Sequence, residues 1–150
     1  MLASVGSTPY KIVLLLHILS VIVAFAPAFV WPIVNVQTRK TGEKVPSGVA
    51  GLVARNTMTI HGPALVLSGL FGIILVVMSD EVWEFSQTWV SLAFLVWFGL
   101  LGVVFGGILP SEKKIAGGDE TAEKKVAMFG GIAHTLLLVM LILMIWKPGA

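Results

Sequence analysis

The sequence predicts an all-α membrane protein of four transmembrane helices in an antiparallel up-down bundle. Three observations lead there. Of the 150 residues, 57% are hydrophobic and only 12% are charged, against roughly 25% charged in an average soluble domain. Four runs carry no Asp, Glu, Lys or Arg: Ile12 to Thr38, Asn56 to Ser79, Phe85 to Ser111 and Val126 to Trp146. Within those runs the apolar residues are continuous and do not alternate. A chain of this size cannot hide so much apolar surface in its own core. Each run reaches the ~20 residues that cross ~30 Å of hydrocarbon. Lipid admits only helices and closed barrels, and unalternating runs favour helices.

The first span is expected over roughly residues 10–36. It contains Ala24-Phe25-Ala26, a pattern of the kind found at signal-peptide cleavage sites. Pro27 follows at once and the apolar run continues well beyond it, so it is taken as a retained span. Pro27 and Pro32 are expected to kink its second half. The second span is expected over 57–79, with the weakly apolar SGVAGLVAR stretch lying on the membrane surface ahead of it. The third is expected over 87–109 and the fourth over 126–146. Short connections make antiparallel neighbours the default, and one domain covers the chain.

Arg39, Lys40, Lys44 and Arg55 fall between the first two spans, and Lys113, Lys114, Lys124 and Lys125 between the last two. The ends and the acidic middle connection hold only Lys11 and Lys147. The positive-inside rule then puts loops 37–56 and 110–125 in the cytoplasm and both termini outside. Tyr10, Trp83, Trp89 and Trp146 fall at the predicted outer boundary and Trp31 toward the inner one, as interfacial aromatics should. The formal charge of +2 reflects these topology signals, with no nucleic-acid surface. Glu112, Asp119, Glu120 and Glu123 are expected to form solvated pairs with the neighbouring lysines.

In the third span Gly102 and Gly106 form a G-x-x-x-G step, with Gly99 one turn earlier. Such a face admits a second backbone closely. It packs inside the bundle or meets another membrane subunit or a second copy. Lipid is the other partner.

Chemistry has few places to sit. With no charged residue inside the predicted spans, a proton or ion path has no carriers there. Cys is absent, which removes thiol and iron–sulfur chemistry. Phosphate-binding glycine loops, His-Glu-x-x-His and Gly-x-Ser-x-Gly are all missing. No catalytic residue and no metal cluster is assigned. His17, His61 and His134 remain. Each either ties two helices together by a hydrogen bond or serves as an axial ligand of a b-type haem. His17 lies ~10 Å and His134 ~18 Å below the outer boundary, and His61 lies ~27 Å below it. His17 and His134 are therefore the candidate haem pair. Arg55 and His61, at the start of the second span, are candidates for contact with an anion or a lipid headgroup.

The opening YKIVLLLHILSVIVAFAPAFVWPIV, the second-span stretch HGPALVLSGLFGIILV and the third-span ending ILPSEKK resemble small four-helix integral membrane protein families of bacteria. More distantly the chain is similar to the HemJ-type membrane protoporphyrinogen oxidases and to the membrane domain of the copper-resistance protein CopD. The resemblance implies a bacterial inner-membrane location and a functional role for His17. Unlike HemJ-type chains, this one has no Lys between Trp89 and Leu109. The function expected is that of an accessory or assembly subunit of a larger membrane complex without a catalytic site. The alternative is a haem-binding redox protein.

Overall fold

The computed structural model describes residues 4–40 and 47–150, and these are all-helical apart from turns. Four helical rods are long and apolar enough to cross a membrane: Thr8–Trp31, Gly48–Val77, Thr88–Ala116 and Ala122–Trp146. The first belongs to α1 (Thr8–Lys40), which stays helical through Pro27 and Pro32. The second is built from α2 (Ser47–Asn56), a π segment (Thr57–His61) and α3 (Gly62–Val77). The third comprises α4 (Thr88–Leu101), a π segment (Gly102–Ile108) and α5 (Leu109–Ala116). The fourth is α6 (Ala122–Trp146).

Two expectations change here. The SGVAGLVAR stretch is no separate surface helix: α2 runs on into the second rod and packs against α5. The third rod does not end at residue 109, because α5 carries the helix through Glu112 to Ala116. The charged residues Glu43 and Lys44, and Pro46, lie outside the described residues.

In the two rods assembled from three pieces, each π segment directly precedes a proline. Pro63 and Pro110 each stand in the first turn of the helix that follows a π segment. A proline has no N–H to give and its ring crowds the carbonyl four residues back. One wider turn relieves this: the Gly62 N–H reaches Thr57 O, and the Leu109 N–H reaches Val104 O, each five residues back. The rods stay continuous, and the residues after each wide turn are rotated onto a new face.

α1 rests mainly on α3 and touches α6 only narrowly, while α4 and the second π segment pack on α6. A small core holds all four rods: Phe25, Leu65, Leu100, Ala133 and Leu137. Close approach depends on Gly62, Gly69 and Gly107. A Cβ on these would strike Phe105, Trp97 and Phe129 respectively. The predicted step at Gly102 and Gly106 meets nothing within 4 Å, and a Cβ at Gly99 would make only an ordinary contact, 3.6 Å from Leu136. Gly102 and Gly106 thus face away from the bundle. Large side chains such as Leu95 and Ile145 also stand outward, both 68% exposed, as they should when lipid surrounds the bundle.

The end that carries both termini is tied together by polar groups. Ser79 is fully buried. Its hydroxyl lies 2.7 Å from Val76 O and accepts the Trp83 N–H at 2.9 Å. This holds a turn in which Asp80 and Glu81 take left-handed backbone angles. Trp83 and Trp89 meet edge to face at 5.4 Å, and the Lys147 ammonium lies 4.1 Å from the Trp83 ring centre. At the opposite end, Asp119 accepts the Thr121 hydroxyl at 2.6 Å and the Thr121 N–H at 3.0 Å. These bonds hold its carboxyl below the usual carboxylate range.

Replacing Ser79 by Ala leaves the Trp83 N–H unsatisfied beside a buried carbonyl. We expect a loss of about 1–3 kcal/mol, seen as a lower thermal midpoint in detergent, while the exposed Ser86→Ala is silent.

Candidate functional site

Two half-open chambers are cut into the bundle, both walled in part by α1 and α6. One, of about 490 Å³, lies toward the end with the α1–α2 and α5–α6 connections; its walls include Thr57, His61, Glu112 and His134. The other, of about 510 Å³, lies toward the termini, with Tyr10, His17, Trp89 and Met144 among its walls. Phe25 and Leu65 line both. They belong to the core that joins the four rods, so an apolar septum separates a loop-end chamber from a terminal-end chamber.

The histidines follow one pattern. His17 Nδ1 lies 2.7 Å from Ser68 O, His61 Nδ1 lies 2.7 Å from Val23 O, and His134 Nδ1 lies 2.7 Å from Gly130 O. A carbonyl only accepts, so each Nδ1 carries a proton and donates it. In the neutral ring Nε2 is then an acceptor. The first two bonds cross from α1 to the second rod and fix their register. Trp97 adds a third tie, its indole N–H donating to Leu65 O at 2.9 Å. His134 bonds within its own helix and stacks edge-on with Phe29, with ring centres 5.7 Å apart.

The predicted haem pair is not brought together. His17 lines the terminal-end chamber and His134 the loop-end one. The histidine that shares a chamber with His134 is His61. Arg55 and His61 are not assembled into one contact either: Arg55 is exposed and off the chamber wall, whereas His61 lines it. Among the described residues no three His, Asp or Glu side chains converge closely enough to hold a metal ion. Haem propionates are usually met by cationic side chains, and the described wall of the loop-end chamber offers Glu112 and Glu123 but no Lys or Arg. Its donor set therefore suits a cation better than a macrocycle with an anionic edge.

The residue the sequence reading missed is Glu112. It was expected in a solvated loop. It is instead 5% exposed, in the first turn of α5. Its side chain hydrogen-bonds to Thr57, itself 5% exposed, at the start of the π segment in the second rod. The other carboxyl oxygen, Oε2, is sealed from solvent and has no partner among the described residues. The signal was present: Leu109-Pro110 with Glu two residues later has the form of a helix start, which places Glu112 in a rod and not in a loop.

No family model, no curated protein and no solved structure matches this chain.

A buried carboxyl with an unsatisfied oxygen destabilises the fold. Glu112→Met keeps the length and removes the charge. We expect it to stabilise the protein in detergent by about 1–4 kcal/mol, measured as a raised thermal midpoint. A lowered midpoint would show that the carboxyl's bond to Thr57 contributes more than its burial costs.

Proposed function

We propose that the chain is a non-catalytic membrane protein that takes a small solute into its bundle and passes it between the two chambers. One observation carries this reading: two chambers of similar volume lie on either side of a septum made by Phe25 and Leu65. Both volumes fall in the ordinary range of small-molecule sites, roughly 300–1,000 Å³. Hydrophobic constrictions of this kind gate by excluding water, and a single aromatic side chain can open or close one by changing rotamer. The four apolar runs of the sequence hold no charged residue, and Glu112 adds one ionisable side chain at the loop end of the third rod.

Assembly into a larger complex, the role expected from the sequence, is compatible with this reading, since Gly102 and Gly106 remain uncovered. The alternative, a b-type haem held by His17 or His134, is decided directly by reduced-minus-oxidised spectra of the purified protein.

The chain has no cysteine, so single cysteines report access without background. Ala28→Cys probes the loop-end chamber and Met144→Cys the terminal-end chamber. In oriented vesicles, a membrane-impermeant thiol reagent should reach position 28 only from the side of the 117–121 connection, and position 144 only from the side of the termini. Adding Phe25→Ala should let each be labelled from both sides. One-sided labelling that persists in the Phe25→Ala background, or labelling of neither position, would refute passage between the chambers.

A further inference from the structure

The loop-end chamber has a one-sided chemistry. Glu112 contributes a buried carboxyl whose Oε2 has no partner among the described residues. His61 and His134 each have Nδ1–H committed to a carbonyl, so their neutral rings offer Nε2 lone pairs. Phe25 and Trp31 add aromatic faces, which attract cations through their negative π clouds. Glu123 also lines the chamber and has an interaction of its own. No Lys or Arg stands on the described wall. Apart from the Trp31 indole N–H and the Thr57 hydroxyl, the groups able to recognise a ligand here are acceptors or negative surfaces, and a buried carboxylate is costly until a positive charge joins it.

We propose that the loop-end chamber binds a monovalent organic cation, an ammonium group on an apolar body, with Glu112 as its counter-ion. The ammonium matches the Glu112 carboxylate, and the imidazoles of His61 and His134 line the same chamber without converging on it. The apolar body matches Val104, Ile108 and the aromatic rings. A divalent metal ion is a poorer match, because the acidic and histidine side chains do not converge on one point. The assignment rests on the loop-end chamber of the carrier reading but not on passage across the septum.

The test uses the full chain in zwitterionic lipid nanodiscs and three probes of similar shape: 2-phenylethylammonium, the neutral 2-phenylethanol and phenylacetate. Binding is followed by titration calorimetry and by quenching of tryptophan fluorescence. The ammonium should bind saturably and the other two should not. Glu112→Gln should weaken it about ten- to a hundredfold, as the loss of a charge-assisted hydrogen bond predicts. Glu112→Asp, which keeps the charge, should retain most of the affinity. A gel-filtration profile and helical circular dichroism equal to wild type show that Glu112→Gln has folded. Equal binding of the alcohol, unchanged affinity in Glu112→Gln, or no binding of any probe to the wild-type protein would each overturn the proposal. In the last case the carboxyl is balanced by a proton alone. Binding without two-sided labelling of the Phe25→Ala cysteine variants would overturn the carrier reading and leave this one standing.

Discussion

Backbone hydrogen bonding in an apolar rod has to be closed within the rod, because lipid offers no partner for a stray N–H or carbonyl. Pro63 and Pro110 break that closure, one in each of the two rods assembled from three helical pieces. The remedy is the same in both: a π turn directly ahead, whose five-residue reach steps over the crowded carbonyl. Much of the interior follows. The wide turns bring Thr57 and Gly107 into the interior, and one turn beyond Gly107 the chain buries Ser111 and Glu112. Ser111 itself donates to Gly107 O at 2.8 Å, so the freed backbone is satisfied locally. π turns are often found at functional sites, and here both border the loop-end chamber, through Thr57 and His61 on one side and Val104 and Ile108 on the other.

The number of rods, their order and their type could be read from the sequence, because length and apolar continuity alone decide whether a segment can cross a bilayer. Their inward faces could not. A rod that is apolar all round carries no periodic signal of which side meets protein and which meets lipid. His17, His61 and His134 were therefore visible as rare residues without a direction, and depth counting paired the wrong two for a shared chamber. The glycines teach the same lesson. Gly102 and Gly106 have the spacing of a contact face and meet nothing, while Gly69 and Gly107 have no such spacing and accommodate Trp97 and Phe129. Close approach depends on the bulk of the opposing side chain, which one helix's sequence does not contain.

Polar side chains in this bundle mostly bond to backbone carbonyls, not to one another. His17, His61 and Trp97 each donate to a carbonyl on a neighbouring rod, using the second lone pair that a helical carbonyl keeps free. Such ties fix register without burying a charge, because a slide of even an ångström or so would lengthen bonds of 2.7–2.9 Å beyond hydrogen-bonding range. Bonds of this kind also fix the imidazole tautomers, so the two rings that line the loop-end chamber, His61 and His134, each keep an acceptor nitrogen. Structural ties and recognition chemistry are thus two nitrogens of the same ring.

Glu112 is the exception to that economy. Every other buried polar side chain among the described residues either has a hydrogen-bond partner or has no sealed atom left without one, while Glu112 keeps a sealed oxygen unsatisfied. Helix packing does not require it: the adjacent Ser111 already satisfies the Gly107 carbonyl, and a methionine would fill the same volume at lower cost. A group that weakens the fold and sits on a chamber wall is the expected mark of a site where stability has been given up for binding. Stability and recognition should therefore move in opposite directions on substitution at this one position. At Ser79, whose hydroxyl is fully used, stability alone should change.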